Sequence, residues 1–352
     1  MGTRQGHVRQ GHAGPGHARR WPVVVLPALL VLVLVLAVGL GSVAIPPGDV
    51  VAVVWRAVRG EPQTDLVTAP IILRTRLPRV LCAGLVGAAL SVCGGAMQGL
   101  LKNPLADGTT LGVSSGASLG AVLAIAFGFA VPGVPFGGVM LAAIAFALAS
   151  LVIILTLAYR LDASLSTNTI ILLGVIFTMF TSSVVSLVVT FANDKLHSIT
   201  FWLMGSLAGL GYTHVAVLAV AVCAAGGALL ACGRELNAFA LGEDNARHVG
   251  VDVRRVKLLV LIAGSALIGV CVAMSGVIAF VGLVTPHMMR FVVGPNHRRL
   301  LPASLVGGAI FLVLGDLLAR TIVSPRELPI GVVTSFVGAI FFLAIFYRAR
   351  RT

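Results

Sequence analysis

Residues 233–257 read GRELNAFALGEDNARHVGVDVRRVK, a densely charged stretch held between two long apolar runs. Ionised side chains are expensive in hydrocarbon, so this stretch must lie in water and the runs on either side of it must be membrane spans. Within it, residues 241–249 read as a compact helix. Glu243 and Asp244 fall in its first turn and Arg247 and His248 in its last, as the helix dipole favours, and Gly250 follows as a C-terminal stop. Ala246 and Val249 leave a small, smooth face that another protein could grip. The stretch therefore reads either as a solvated linker or as a docking helix through which a soluble partner moves a membrane domain.

Composition agrees with a membrane setting. Of 352 residues, 58% are hydrophobic and only 11% charged, which excludes a water-soluble globular protein and fits an all-α, polytopic one. The net charge of +13 does not point to nucleic acid, because the basic residues sit in short loops flanking apolar runs, where they orient a membrane protein. The five cysteines (Cys82, Cys93, Cys223, Cys232, Cys271) lie inside apolar runs without metal-ligand spacing and read as packing residues.

Working outward, residues 1–20 are rich in Gly, His and Arg and predict a disordered basic cytoplasmic tail. Residues 21–352 read as a single transmembrane domain. The run 21–45 is too long for a signal peptide and is the first span; 46–59 is a short amphipathic segment at the outer surface. The second span, 80–101, carries Ala83, Gly87, Ser91, Gly95 and Gly99 at four-residue spacing, a stripe that lets another helix approach closely. No charge occurs in 108–159, room for two spans with VPGVPFGG (131–138) as their turn. Residues 163–193 and 212–232 supply the fifth and sixth.

The run 258–289 is long for one helix and tight for two. Both termini carry arginine clusters and read as cytoplasmic, which requires an even number of crossings. With 301–322 and 328–346 as the last two spans, 258–289 must cross twice, breaking near Ser275 and Gly276. That gives about ten spans in a bacterial cytoplasmic membrane. Most Lys and Arg then fall on the cytoplasmic side; the exceptions are Arg56, Arg59, Arg74, Arg76, Arg79, Lys195, Arg320 and Arg326.

Several chemistries are missing. Lys102, Lys195 and Lys257 are the only lysines and none follows a glycine, so the chain has no phosphate loop for ATP. No nucleophile–base pair or zinc-binding helix stands out, and an enzyme is not expected. Asp316 is the only clear ionisable candidate for a coupled secondary carrier, and Arg320 one turn later makes a helix-end ion pair near the surface the better reading. The energy for transport must come from another chain. Gly174, Thr178, Ser182 and Ser186 repeat every four residues on the fifth span, which fits a wet pathway and close helix packing equally well.

The stretches RLPR (76–79), GAALSVCGGAMQGLLKNPLAD (87–107), LGVSSGA (111–117), WLMGSLAG (202–209), LGEDNARHVGVDVRRVK (241–257), GVIAFVGLVTPHMMRFVVGPNHRRLLP (276–302), DLLAR (316–320) and ELPIGVVTSFVGAIFF (327–342) occur in order. Together they resemble the FecCD-type permeases, the membrane subunits of type II ABC importers for iron–siderophores, haem and cobalamin. Gly108 departs from the family's usual proline. The resemblance implies ten helices per subunit, two permease subunits per transporter (identical or related), two ABC ATPase subunits holding ATP and Mg, and an extracytoplasmic substrate-binding protein. The coupling contacts would be Gly242, Glu243, Ala246, Arg247 and Gly250. Docking of the binding protein would fall to Arg76, Arg79 and Arg320, and the pathway to Gly174, Thr178, Ser182 and Ser186. His287 reads as a packing histidine, and no metal or cofactor is expected in this chain. The expected cargo is an intact ferric chelate, with cobalamin or haem as the alternative; a stand-alone carrier and a membrane scaffold for an ATPase are the readings from other classes. Because Arg76 and Arg79 flank Leu77 and Pro78, an extended or turned approach is expected to present both guanidinium groups outward, so that replacing both by Glu should spare abundance and abolish uptake.

Overall fold

The computed structural model describes residues 21–41, 43–108, 111–132 and 137–349. The expected N-terminal tail and part of the expected turn at 131–138 lie outside them. The helices are α1 (Trp21–Gly39), α2 (Pro47–Arg59), α3 (Thr68–Leu100), α4 (Val113–Ala126), α5 (Gly137–Leu161), α6 (Thr167–Phe191), α7 (Leu196–Leu203), α8 (Tyr212–Ala231), α9 (Gly233–Phe239), α10 (Glu243–His248), α11 (Val253–Ser275), α12 (Val281–Val293), α13 (His297–Thr321) and α14 (Ile330–Ala349). Among the described residues, seven helices are long and apolar enough to cross a bilayer, α1, α3, α5, α6, α8, α11 and α13, and α4, α12 and α14 are shorter apolar helices. The expected all-helical, polytopic architecture is present, and the expected spans find these ten counterparts in order.

The axis of the bundle is α3. Within its apolar window 83% of residues are buried by the rest of the chain, against 17% for α6 at the periphery. The reason is the small-residue stripe, which packs along α13 running the other way. Gly99 lies against His297, Gly95 against Leu301, Gly87 against Gly308, and Arg79 against Asp316. At Gly87 and Gly308 each backbone carbonyl occupies the space a Cβ on the other would need. Gly94 likewise meets the Gly282 carbonyl of α12, and a Cβ on Gly282 would meet the Leu90 carbonyl. Without water to drive helices together, such close backbone contact is a principal source of association.

Just beyond that crossing, Pro286 in α12 has no N–H to give to the Gly282 carbonyl. Gln98 of α3 supplies the missing donor: its Nε2 gives hydrogen bonds to Gly282 O at 3.2 Å and Leu283 O at 3.3 Å.

The start of α3 corrects the sequence reading. Residues 68–100 are helical throughout, with a wide turn at Ile71–Arg76 just ahead of Pro78. A turn bonded i to i+5 re-routes the ladder where the proline would break it, so Leu77 stays helical.

The break between α11 and α12 falls where expected. Gly276 ends α11 at φ +67°, and a Cβ there would run into the Trp202 carbonyl. The non-helical backbone around it is satisfied internally. Ser206 N bonds to Ser275 O at 2.8 Å, Ile330 N to Gly205 O at 3.2 Å, and Gly331 N to Met204 O at 3.1 Å. Irregular backbone is tolerable in a bilayer only where protein buries it in this way. Four cysteines are buried and Cys223 is exposed; all five are free thiols.

Candidate functional site

Three groups of residues carry the expected chemistry, and the structure treats each differently. The charged stretch folds as α9, a turn, and α10. Gly242 opens α10 at φ +112°, and Ala246 N bonds back to Gly242 O at 2.9 Å. Gly250, at φ +87°, closes it: Gly250 N reaches Arg247 O at 2.9 Å and Val251 N reaches Ala246 O at 3.0 Å. This paired C-terminal bonding is a Schellman motif, and it consumes carbonyls that the helix end would otherwise leave open.

The small face expected at Ala246 is not at the surface. Its side chain is fully buried in the chain's own core, because a six-residue helix held at both ends must rest its one apolar face on the bundle. The exposed apolar residues are Leu241 and Val249, at 69% and 67%, with Arg247 between them. Arg247 pairs with Asp244 at 3.6 Å, a solvated contact worth about 0.5 kcal/mol or less. Replacing Ala246 with Trp should therefore overfill the chain's interior and cost about 1–3 kcal/mol before any partner binds. A lower melting temperature of the isolated subunit in detergent is the expected result; an unchanged one would return Ala246 to the surface.

Glu243 also faces inward. Its Oε2 lies 2.8 Å from Lys257 Nζ, and that ammonium donates to Leu165 O at 2.9 Å.

The three arginines assigned to docking meet at the opposite end of the bundle. They do not face outward. Arg76 is buried, and its guanidinium donates to the Val38 and Gly39 carbonyls at 3.0 Å each and to Val43 O at 2.6 Å. Arg320, also buried, donates to Ala37 O at 3.0 Å. Ala37, Val38 and Gly39 carry the last carbonyls of α1, where the helix dipole is negative; Gly39 O also accepts from Ile45 N at 2.9 Å, and the two cations supply further donors. α1 thus stops at Gly39, short of the expected residue 45.

Asp316, 1% exposed, pairs with Arg79 at 2.9 Å and with Arg320 at 3.0 Å. Arg79 in turn reaches Glu327 Oε2 at 2.8 Å, and Glu327 is half exposed. The expected Asp316–Arg320 pair is thus present, but it is buried and shared with a second cation. Sequence reasoning missed Glu327 and the Arg79–Asp316 contact. The one available signal was a lone aspartate in a span facing three arginines at one membrane surface.

The expected pathway residues split into two pairs. Gly174 is buried, its carbonyl close to Gly112, and Thr178 Oγ1 accepts from Ser115 Oγ at 3.2 Å, both against α4. Ser182 and Ser186 are exposed. A four-residue step overshoots a helical turn by about 40°, so the stripe rotates about 120° around α6 from its first member to its last, and α4 meets only its start. Ser183 and Thr190 extend the exposed hydroxyl patch. His287 of α12 packs edge-on against Phe291.

The chain matches the FecCD transport family over residues 29–348. It is 45% identical over 320 residues to an uncharacterized ABC transporter permease protein, YvrB, of Bacillus subtilis, covering 90% of this chain and 91% of that one. It is 40% identical to the cobalamin import permease BtuC of Halobacterium salinarum, covering 78% of this chain and 73% of that one. Against the hemin transport permease HmuU of Yersinia pestis the identity is also 40%, with 80% and 84% covered. A solved inward-facing conformation of a metal-chelate type ABC transporter superimposes with a TM-score of 0.81 at 33% identity, covering 92% of this chain and 98% of that one.

Proposed function

The chain belongs to the FecCD transport family and is an ABC importer permease, and from that premise we propose that its cargo is a ferric siderophore carried as an intact chelate. The observation that favours this cargo is the hydroxyl patch of Ser182, Ser183, Ser186 and Thr190, exposed on the second half of α6. Siderophores present many polar oxygens around the iron, and hydroxyls can exchange hydrogen bonds with them without competing for the metal. Cobalamin or haem is the second reading, favoured by the relatives that carry those names.

In this reading the ATPase grips Leu241, Arg247 and Val249 on the outside of α10, and the chain, lacking a phosphate loop, hydrolyses no ATP by itself. Gly242 and Gly250 set the ends of the gripped element. A substrate-binding protein docks at the opposite, extracytoplasmic end. There Arg79 is the arginine whose partner, Glu327, reaches the surface, while Arg76 and Arg320 shape the rim from below. A second permease subunit faces the exposed side of α6 across the pathway, and both termini lie in the cytoplasm. Asp316 is committed to two guanidinium groups, which counts against a proton-coupled carrier.

The test is uptake into proteoliposomes holding the permease with its ATPase and binding protein. Radio-iron ferrichrome, cyanocobalamin and haemin serve as competing probes. ATP-dependent accumulation of ferrichrome, unaffected by collapse of the proton gradient, is expected. Accumulation of cyanocobalamin or haemin instead would overturn the cargo, and uptake driven by the gradient alone would overturn the mechanism. ATP hydrolysis by the isolated chain, surviving rigorous purification, would overturn the division of labour.

A further inference from the structure

Lys257 is among the largest fully buried side chains in the protein, and it stands where three elements meet. It belongs to α11, its ammonium holds Glu243 of α10 at 2.8 Å, and it donates to the carbonyl of Leu165 at 2.9 Å. Leu165 sits between α5 and α6 at φ +53°, a backbone shape that costs a branched side chain energy and persists only when its surroundings impose it.

Those surroundings are visible. The Asp162 carboxylate accepts from Ser164 N at 2.9 Å, Ser164 Oγ at 2.6 Å and Ser166 N at 3.1 Å, while Leu165 N bonds to Asp162 O at 2.9 Å. The hydroxyls of Ser164 and Ser166, then their backbone N–H groups, hold the Asp162 carboxyl well below its ordinary range, so it stays an anion. Ser166 then caps α6, its Oγ accepting from Thr169 N at 3.4 Å. The segment 162–166 is therefore a stiff bracket with one strained carbonyl presented to Lys257.

We infer that Lys257 is a transmission residue: it passes displacement of α10 to the foot of α6 through the Glu243 carboxylate on one side and the Leu165 carbonyl on the other. This rests on the reading that an ATPase partner grips α10. A purely supporting role is a poor explanation for the pair. Apolar side chains of similar volume stabilise a buried site as well as an ion pair does or better, whereas a buried ammonium with two fixed acceptors, one of them the partly exposed Glu243, ties two elements at one distance and direction. The bracket converts that tie into motion of a whole helix, because its internal bonds leave no slack between Leu165 and the α6 cap. Glu243 thereby acts inside the chain, and the ATPase acts on Glu243 through the helix that carries it.

The test reads α6 directly and needs no cargo. In a Cys223→Ser background, Ser182→Cys places a thiol on the exposed part of α6. Its alkylation by a membrane-impermeant maleimide is followed in the full complex with and without ATP–vanadate trapping. The background protein should change its labelling rate about tenfold on trapping, the size of change that a coupling of a few RT supports. Lys257→Met should abolish that change while ATP hydrolysis and co-purification of the ATPase persist, and Lys257→Arg should restore most of it. The charge exchange Glu243→Lys with Lys257→Glu should not recover it, because a carboxylate at 257 cannot donate to the Leu165 carbonyl. An unaltered response in Lys257→Met would overturn the inference. So would loss of the ATPase from that variant, since Lys257 would then be a brace for docking and no more. A background protein that hydrolyses ATP with its partner yet shows no labelling change would overturn it as well, while leaving the permease assignment standing.

Discussion

Gly94→Val and Gly308→Val should each leave almost no folded protein in the membrane. At both positions the space a Cβ would enter is occupied by a backbone carbonyl, of Gly282 and of Gly87 respectively. A flexible side chain could swing aside. A backbone carbonyl fixed in a helical ladder cannot, so the two helices must separate along their length. Overpacking of this kind costs about 3 kcal/mol or more, and separating α3 from α12 or α13 also forfeits the close contact that drives association in lipid. Gly94 carries a further penalty, because moving α12 pulls the Gly282 carbonyl away from Gln98, the donor standing in for Pro286. The measurement is folded abundance by fluorescence-detected size exclusion, with Gly227→Val as control: nothing lies within 4 Å of a Cβ there. Normal monodisperse yield from Gly94→Val would contradict the packing of α3 on α12.

Asp316→Ala should be nearly as damaging. The change strips the shared anion from two guanidinium groups that are largely withdrawn from water, leaving Arg320 buried beside Arg79 with like charges facing. Removing one partner of a buried pair costs about 3–5 kcal/mol. Glu327→Ala should cost about 1 kcal/mol or less, since that carboxylate is half exposed and solvent replaces it. Thermal unfolding of the purified subunit checks both. Equal, small shifts would mean that Asp316 is hydrated and the cluster open. The same geometry revises what charge reversal should do. Arg76→Glu would aim a carboxylate at the Val38, Gly39 and Val43 carbonyls, so abundance itself should fall and loss of uptake in that variant would say nothing about docking. Arg79 and Glu327 are the residues at which a docking partner can be tested.

Much of this was legible in the chain. The stripe from Ala83 to Gly99 announced a close helix contact, because small residues at that spacing have little other use in lipid, and the break at Gly276 followed from length and parity alone. The direction of the arginines was not legible. Arg76 finds its acceptors 37 and 38 residues away, on carbonyls that any sequence would possess, so no residue type marks them. Ala246 misled for a related reason: the helix pattern showed which residues share a face, and only the bundle decides whether that face looks in or out. The hydroxyl stripe was read at a period of four where the helix turns at 3.6, an error that grows with every step.

The clasp around the end of α1 also sets an order of events during synthesis. Arg76 and Arg79 leave the ribosome soon after α1, yet Asp316 is 237 residues downstream of Arg79, and Arg320 follows it. For most of the chain's elongation, then, the cations precede their carboxylate. Arg76 can settle at once on the carbonyls of its neighbour, but Arg79 must be kept hydrated or held by lipid phosphate until the ninth of the ten apolar helices arrives. A late helix is thus what locks the first, so a nascent permease stays an open-ended bundle until α13 is in place.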